Sequence, residues 1–152
     1  MLKTLDPILT PDLLWVLAAM GHGDDIALVD GNFPAEAVAA ETISGELVNL
    51  GAVPIDRAAR AILSLLPLDS YVDDPVRCME VVGKPDEVPE PRAAVRAEIE
   101  AAGETVPIVA IERYAFYEAA KQSFAVVKVA DPRFYGCFLL RKGVIAGERP
   151  AY

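Results

Sequence analysis

Histidine and cysteine are scarce in this 152-residue chain, which contains one histidine and two cysteines. A transition-metal centre usually needs several imidazole or thiolate ligands. Cys78 and Cys137 form no C-x-x-C pair and have no histidine beside them in the sequence. We therefore expect reduced thiols, with no structural zinc, no disulfide and no metal site.

Basic residues and long hydrophobic runs are also in short supply. The chain has 14 Lys and Arg against 23 Asp and Glu, a net charge of −9, and no basic run. This balance argues against nucleic acid and anionic membranes as partners. The apolar runs are far shorter than the ~20 residues of a membrane helix, and the N-terminus lacks the apolar core of a signal peptide. The sequence predicts a cytoplasmic protein without membrane partners.

Hydrophobic residues make up 53% of the chain, which is ample for the core of one domain of this length. We expect a single domain over residues 1–152, without internal repeats. The apolar fraction is somewhat high for a lone monomer, so part of it is expected to cover a subunit interface. The sequence therefore favours a homo-oligomer.

Helical and strand patterns alternate along the chain. Thr10-Pro11-Asp12 is a helix start that Gly21 is expected to end, and apolar spacing predicts a second helix over 55–66. Weaker patterns predict helices over 33–41, 93–102 and 115–123. Short apolar runs predict strands over 26–29, 45–50, 76–82, 108–111, 124–129 and 136–140. Residues 147–152 have no apolar period and are expected to fray. The pattern indicates a layered α/β domain whose last two strands pair as a hairpin.

His22 and Asp30 are the first candidate site residues, because each lies just beyond a regular element. Residues at such positions often form the sites of α/β proteins. Taken alone, however, His22 is more often a helix-terminus residue, and Asp30 could simply cap a turn. By the same reasoning Arg113 could be half of a surface charge pair with Glu112, and Tyr117 could be a core residue.

Several ordered segments give the chain a resemblance to a known family. The segments are Met1-Leu2-Lys3-Thr4, Met20-Gly-His-Gly-Asp, Asp30-x-x-Phe-Pro, Leu68-Asp69-Ser70-Tyr71, Arg113-x-Ala-Phe-Tyr117-Glu118-x-Ala, Phe124-Ala-Val-Val, Tyr135-Gly136 and Lys142-Gly143. Together they resemble the fucose mutarotase and ribose pyranase family, and are closer to its fucose branch. The resemblance covers nearly the whole chain.

The resemblance implies a three-layer α/β fold with a mixed, largely parallel sheet flanked by helices. It implies a cofactor-free enzyme that interconverts the anomers of a free monosaccharide, assembled as a ring-shaped homo-oligomer, decameric in the best-known members, with each site near a subunit boundary. The proton-transfer residue would be His22. The implied substrate-binding residues are Asp30, Asp69, Arg113, Tyr117, Tyr135, Gly136 and Cys137.

These residue types suit such chemistry. Opening a sugar ring requires removal of the anomeric hydroxyl proton and delivery of a proton to the ring oxygen, and an imidazole serves both roles near neutral pH. Carboxylates accept hydrogen bonds from hydroxyl groups, Arg113 donates several, and tyrosines add hydroxyls and apolar faces. Asp24 and Asp25 beside His22 favour a neutral sugar over a sugar phosphate.

The sequence departs from the family pattern at two positions. Cys137 stands where members usually have asparagine, which removes an amide that could bind a sugar hydroxyl. Asn32 stands where some fucose enzymes have a histidine. These departures leave the identity of the sugar open.

Three alternatives to a mutarotase remain at this point. The first is a sugar-binding or transport-accessory protein without turnover, which the cysteine at position 137 would favour. The second is a glycosidase that uses Asp30 and Asp69 as paired carboxylates ~5–10 Å apart. The third, a metal enzyme, is disfavoured by the single histidine.

Overall fold

Residues 2–145 of the computed structural model are described, and they form a six-stranded sheet with five helices. The helices are α1 (Pro11–Ala19), α2 (Ala35–Ala39), α3 (Ile55–Leu63), α4 (Glu90–Ala101) and α5 (Arg113–Lys121). The strands are β1 (Asp25–Val29), β2 (Leu47–Asn49), β3 (Val76–Met79), β4 (Ile108–Ile111), β5 (Ala125–Lys128) and β6 (Phe138–Arg141). The predicted fraying over 147–152 lies outside the described residues, and a single domain over 1–152 stays a prediction.

The sheet is mixed and mostly parallel, with strand order β2-β5-β1-β6-β3-β4. Parallel pairs join β1 to β5, β2 to β5 and β3 to β4. Strand β6 lies between β1 and β3 and is antiparallel to both. Strands β1 to β5 therefore all run in one direction, so their carboxyl ends meet at one edge of the sheet. We call this the C-edge, and the opposite edge the N-edge. The predicted fold class is confirmed.

Alternation along the strands fills both faces of the sheet. In β1, Ile26 and Leu28 belong to a core that includes residues of α1, α3 and α4, whereas Ala27 and Val29 belong to a second core with α2 and α5. These four side chains are fully buried. A central strand that is apolar on both faces requires helices on both sides, which explains the three layers.

Local capping sets the helix starts that matter for the site. The Thr10 hydroxyl accepts a hydrogen bond from the Leu13 amide, as its sequence predicts. The Glu112 carboxylate accepts bonds from the amides of Tyr114 and Ala115. Because of this cap, α5 begins two residues earlier than the predicted Ala115. Glu112 is therefore a capping residue, and Arg113 occupies the first position of the helix.

The predicted hairpin of the last two strands is wrong. Strand β1 lies between β5 and β6, so the segment 129–137, here called the connector, crosses the carboxyl end of β1 before the chain enters β6. The apolar β1 is the best-buried strand, and parallel pairing with β5 on one side and antiparallel pairing with β6 on the other places it inside the sheet. The crossing brings the connector against the loop that follows Val29.

The first half of the connector is fixed by a buried carboxylate. Asp131 is 4% exposed and accepts hydrogen bonds from the amides of Ile55 and Arg133. It also forms an ion pair with the Arg133 guanidinium at 2.6 Å. These bonds, the Arg133 side chain above all, lower the pKa of Asp131 from its ordinary 3.8 to about 2. The same guanidinium also forms ion pairs with Asp56 of α3 and Glu90 of α4.

No helix within residues 2–145 is long and apolar enough to cross a membrane. Both cysteines are free and buried.

The lowered pKa predicts how stability depends on pH. Because the folded-state pKa of Asp131 lies below the unfolded value, its stabilisation is present above about pH 4 and is lost as the pH falls toward 2. Wild type should exceed Asp131→Asn in unfolding free energy by about 2 kcal/mol at pH 5, and the difference should shrink toward pH 2. Urea unfolding of both proteins between pH 5 and 2.5 measures this. A difference that stays constant over this range would contradict it.

Candidate active site

A pocket of about 450 Å³ opens at the C-edge of the sheet. Its walls come from segments that follow the carboxyl ends of β1, β3 and β4, and from the second half of the connector. Open α/β sheets commonly bind ligands at this edge. The lining residues are Asp30, Asn32, Phe33, Met79, Val82, Arg113, Tyr117, Phe134, Tyr135 and Cys137.

Asp30 lies at the base of this pocket, directly after β1, and is 3% exposed. One carboxylate oxygen accepts a hydrogen bond from the Asn32 amide at 2.9 Å. The other accepts from the Gly136 amide at 3.0 Å, and the Cys137 thiol lies 3.7 Å away as a further donor. Donors from two loops therefore hold the carboxylate in one orientation beside the pocket. Asp30 does cap a turn, but this is only part of its role.

Gly136 allows a close approach between the connector and Asp30. A Cβ atom at residue 136 would lie 3.2 Å from the Cβ of Asp30 and 3.6 Å from its Oδ2. Any larger residue would push the carboxylate or the connector away. Gly136 therefore shapes the pocket through Asp30, although it does not line the pocket itself.

Cys137 is a wall residue and a hydrogen-bond donor. Burial, together with the adjacent Asp30 carboxylate, raises the pKa of this thiol well above its ordinary value. The thiol therefore stays protonated and is poorly suited to act as a nucleophile. Next to it lies Met79, whose amide donates to the Cys137 carbonyl at 3.1 Å. This part of the wall presents sulfur and carbon atoms where an asparagine would present an amide.

Arg113 and Tyr117 project from the first turns of α5 into the pocket. The Arg113 guanidinium lies 4.7 Å from the centre of the Tyr114 ring and donates to the Tyr114 hydroxyl at 2.9 Å. Its Nε is buried and has no hydrogen-bond partner among residues 2–145. A buried donor without a partner is costly, so a ligand oxygen at this position would be stabilising.

Tyr135 lines the pocket from the connector. Its φ is +62°, a left-handed conformation that non-glycine residues rarely adopt. Its hydroxyl accepts a hydrogen bond from the Val82 amide at 3.3 Å. The Tyr135 ring therefore spans the pocket between the connector and the segment after β3.

His22 and Asp69 lie at the N-edge, away from the pocket. The His22 Nε2 is 3.1 Å from an Asp69 carboxylate oxygen, and the side chains are 49% and 3% exposed. The other Asp69 oxygen accepts from the Tyr71 amide at 3.0 Å, and the Tyr71 ring lies edge-on to the imidazole. A buried carboxylate thus orients a half-exposed imidazole whose Nδ1 is the nitrogen not bonded to Asp69.

The end of β6 holds this pair in place. The Lys142 ammonium donates hydrogen bonds to the carbonyls of Leu17 and Met20. These bonds cap the carboxyl end of α1 just before His22. Gly143 passes so close to the Asp69 segment that a Cβ would lie 2.5 Å from the Leu68 carbonyl oxygen. The Lys142-Gly143 pair therefore serves structure, and indirectly the position of His22.

Asp25 is largely buried in an ion-pair network at the N-edge. Its carboxylate is 12% exposed and pairs with both Arg77 of β3 and Arg141 of β6. Asp24 instead accepts a hydrogen bond from the Gly21 amide at 2.7 Å. The N-edge therefore carries a charged network beside the His22 and Asp69 pair, but its charges are balanced within the sheet.

Of the eight predicted site residues, the structure brings five to the pocket: Asp30, Arg113, Tyr117, Tyr135 and Cys137. His22 and Asp69 pair with each other at the other edge, ~16 Å away along a five-residue strand. The glycosidase alternative requires Asp30 and Asp69 within ~5–10 Å, so one chain does not supply such a site. No cluster of three metal ligands occurs among the described residues.

The sequence prediction missed five lining residues: Asn32, Phe33, Met79, Val82 and Phe134. Met79 and Val82 lay inside the strand predicted over 76–82, so the rule that residues after strand ends form sites did not apply to them. In the structure β3 ends at Met79, which places Val82 beyond the strand. Asn32 and Phe33 follow Asp30 in the same loop. Phe134 is next to Tyr135, but no sequence pattern predicts that its side chain is exposed at the pocket.

The fold and the pocket together define a class. This is an α/β protein with a small C-edge pocket that combines a fixed carboxylate, a guanidinium and aromatic rings, a combination suited to a small ligand with several hydroxyl groups.

Comparisons with known proteins agree with this class. The model of the RbsD / FucU transport protein family matches residues 3–145. Human fucose mutarotase is 41% identical over 150 residues, covering 95% of each chain. The crystal structure of the fucose mutarotase from Streptococcus pneumoniae in complex with L-fucose is 36% identical, with a TM-score of 0.86 over 95% of this chain and 100% of that one.

A more distant structure supports the fold alone. RbsD of Bacillus subtilis, complexed with D-ribose, is 18% identical and has a TM-score of 0.70 over 95% of this chain and 99% of that one.

The chain belongs to the RbsD / FucU family. The family predicted from its motifs is confirmed.

The close contact at Gly136 can be tested by adding one methyl group. Gly136→Ala should lower the unfolding free energy by ~1–3 kcal/mol, because the new Cβ overpacks against Asp30. Gly31→Ala is the matched control on the facing loop, since its Cβ would meet only ordinary contacts at 3.4 Å or more. Urea unfolding measures both variants, and equal stabilities would refute the contact.

Proposed function

We propose that this protein interconverts the anomers of a free monosaccharide, L-fucose or a related aldose, by opening and reclosing the sugar ring without a cofactor. Two lines of support meet here: the 41% identity with human fucose mutarotase over 95% of both chains, and a pocket whose polar groups suit sugar hydroxyls. The observation that carries the proposal is the buried Asp69 carboxylate bonded to the half-exposed imidazole of His22. The cytoplasmic location stays a prediction.

In this proposal His22 transfers the protons. With Nε2–H donating to Asp69, Nδ1 takes the proton from the anomeric hydroxyl and then delivers that proton to the ring oxygen as the bond between C1 and the ring oxygen breaks. The free aldehyde then rotates about its C1–C2 bond, and the same transfers in reverse close the ring. Asp69 keeps one tautomer in place and stabilises the imidazolium formed midway.

The C-edge pocket holds the sugar in the proposal. Asp30 accepts hydrogen bonds from sugar hydroxyls with the lone pairs that its loop donors leave free. The Nε of Arg113, which has no hydrogen-bond partner within residues 2–145, donates to a sugar oxygen. Tyr117 and Tyr135 supply hydroxyl groups and apolar faces for the C–H surface of the ring.

A site that uses both groups needs two copies of the chain. Strand β1 keeps His22 and Asp30 of one chain at opposite edges of the sheet, so we propose that the N-edge of one copy faces the pocket mouth of another. Exposed apolar residues at both places support this arrangement. Tyr71 beside His22 is 75% exposed, and Phe134 at the mouth is 72% exposed. Repetition of such a head-to-tail contact generates a ring when its rotation closes, and a ring-shaped decamer is our proposal for the assembly.

A sugar-binding protein without turnover is the second candidate. Cys137 favours it, because the thiol donates to Asp30 and supplies no amide to the ligand. Both candidates predict saturable sugar binding. Only the mutarotase predicts faster exchange between anomers.

Saturation-transfer NMR on equilibrated aldoses distinguishes them. Irradiation of one anomeric proton should reduce the signal of the other far more in the presence of the protein. His22→Ala should slow exchange by ~10²-fold or more, since positioned proton transfer typically contributes that much. Asp69→Asn should cause an intermediate loss of exchange rate. Arg60→Gln, which breaks an ion pair with Glu98 away from the proposed site, should cause no loss. No acceleration with any aldose would rule out the mutarotase. Full activity of His22→Ala would rule out His22 as its proton-transfer residue.

A further inference from the structure

The connector is held at both ends, while two of its aromatic residues border the pocket. At the start, the Ala130 amide donates to the Gly51 carbonyl at 2.7 Å. At the end, the Gly136 amide donates to Asp30. Phe134 and Tyr135 lie between these anchors and contribute pocket wall.

Arg133 dominates the first anchor. Its Nε lies 3.0 and 3.1 Å from the two oxygens of Asp131, and one terminal nitrogen donates to both Asp131 and Asp56 at 2.6 Å. The other terminal nitrogen donates to Glu90 at 3.0 Å. One planar guanidinium thus joins the connector to the starts of α3 and α4. A fork of this kind fixes direction as well as distance.

Tyr135 has little of its own to hold it in place. Its backbone is in the left-handed region, which an L side chain disfavours. Its hydroxyl accepts one long bond, 3.3 Å from the Val82 amide. An unanchored connector would relax toward ordinary backbone angles and carry the ring out of the pocket.

We propose that Arg133 is a positioning residue for the sugar pocket, which fixes the connector so that Phe134 and Tyr135 face the ligand. This inference rests on the proposed function, because the ligand it names is the sugar. Arg133 itself lines a separate groove on the other side of the connector, together with Asp56 and Glu90. It acts on the sugar only through its neighbours.

Two measurements on Arg133→Gln test the proposal. Deuterium uptake of the peptide covering 130–137 should become faster, because the side-chain bonds of the first anchor are lost and only its backbone bonds remain. The KM for sugar should rise about 5–10-fold while kcat changes less than 2-fold, since the connector binds the sugar and transfers no proton. Arg133→Lys keeps the charge but loses the fork, so its KM should be intermediate.

Arg60→Gln is the matched control. It removes a two-bond ion pair between the same helices, α3 and α4, but does not touch the connector. Its KM and its uptake over 130–137 should equal those of wild type. If both variants changed these values equally, general destabilisation would explain them and the proposal would be overturned.

The outcomes separate this inference from the proposed function. If the wild type binds sugar without turnover, the dissociation constant from calorimetry replaces KM and the same rise is expected. Unchanged uptake and affinity in Arg133→Gln would overturn the proposal. Should Arg133→Gln fail to fold, Asp56→Ala removes the single bond between Arg133 and α3 and should shift uptake and affinity in the same direction by less. No shift in that variant would overturn the proposal as well.

Discussion

The buried carboxylate of Asp30 is the interaction on which the rest of the pocket depends. It stands at the carboxyl end of the central strand and accepts a hydrogen bond from the Gly136 amide, at a contact where a Cβ would lie only 3.2 Å from the Asp30 Cβ. This bond ties the crossing of the connector to the loop after β1. The hydrogen bonds of Asp30 therefore stabilise both the connector crossing and the pocket, so a change that weakens one should weaken the other.

Because five strands run in one direction, the proposed proton-transfer residues lie at the edge of the sheet opposite the pocket. His22 precedes β1 and Asp69 precedes β3, so both lie at the N-edge, whereas Asp30 and Arg113 follow strands at the C-edge. Side-chain rotation does not bridge ~16 Å along a strand. In the proposed function, association of copies is thus a requirement of the chemistry, and the exposed rings of Tyr71 and Phe134 would be covered by it.

Sequence patterns predicted the elements well where the signal is local. The apolar run of β1 and the cap at Thr10 depend on neighbouring residues, and both are present in the structure. The hairpin prediction failed because strand order depends on the burial of β1, which loop length does not reveal. The contact between His22 and Asp69 spans 47 positions, so only the family resemblance brought them into one site prediction. Only the strand directions in the structure show that both residues lie at the N-edge, away from the pocket.

Subunit mixing tests the two-copy site most directly. His22→Ala and Asp30→Asn proteins, each inactive alone in anomer exchange, are mixed after reversible dissociation and reassembled, and exchange is measured by NMR. A site shared between copies predicts that activity returns, to about a quarter of the wild-type value for random assembly of equal amounts. Mixtures that stay as inactive as their parents, although mass analysis shows mixed assemblies, would contradict the account.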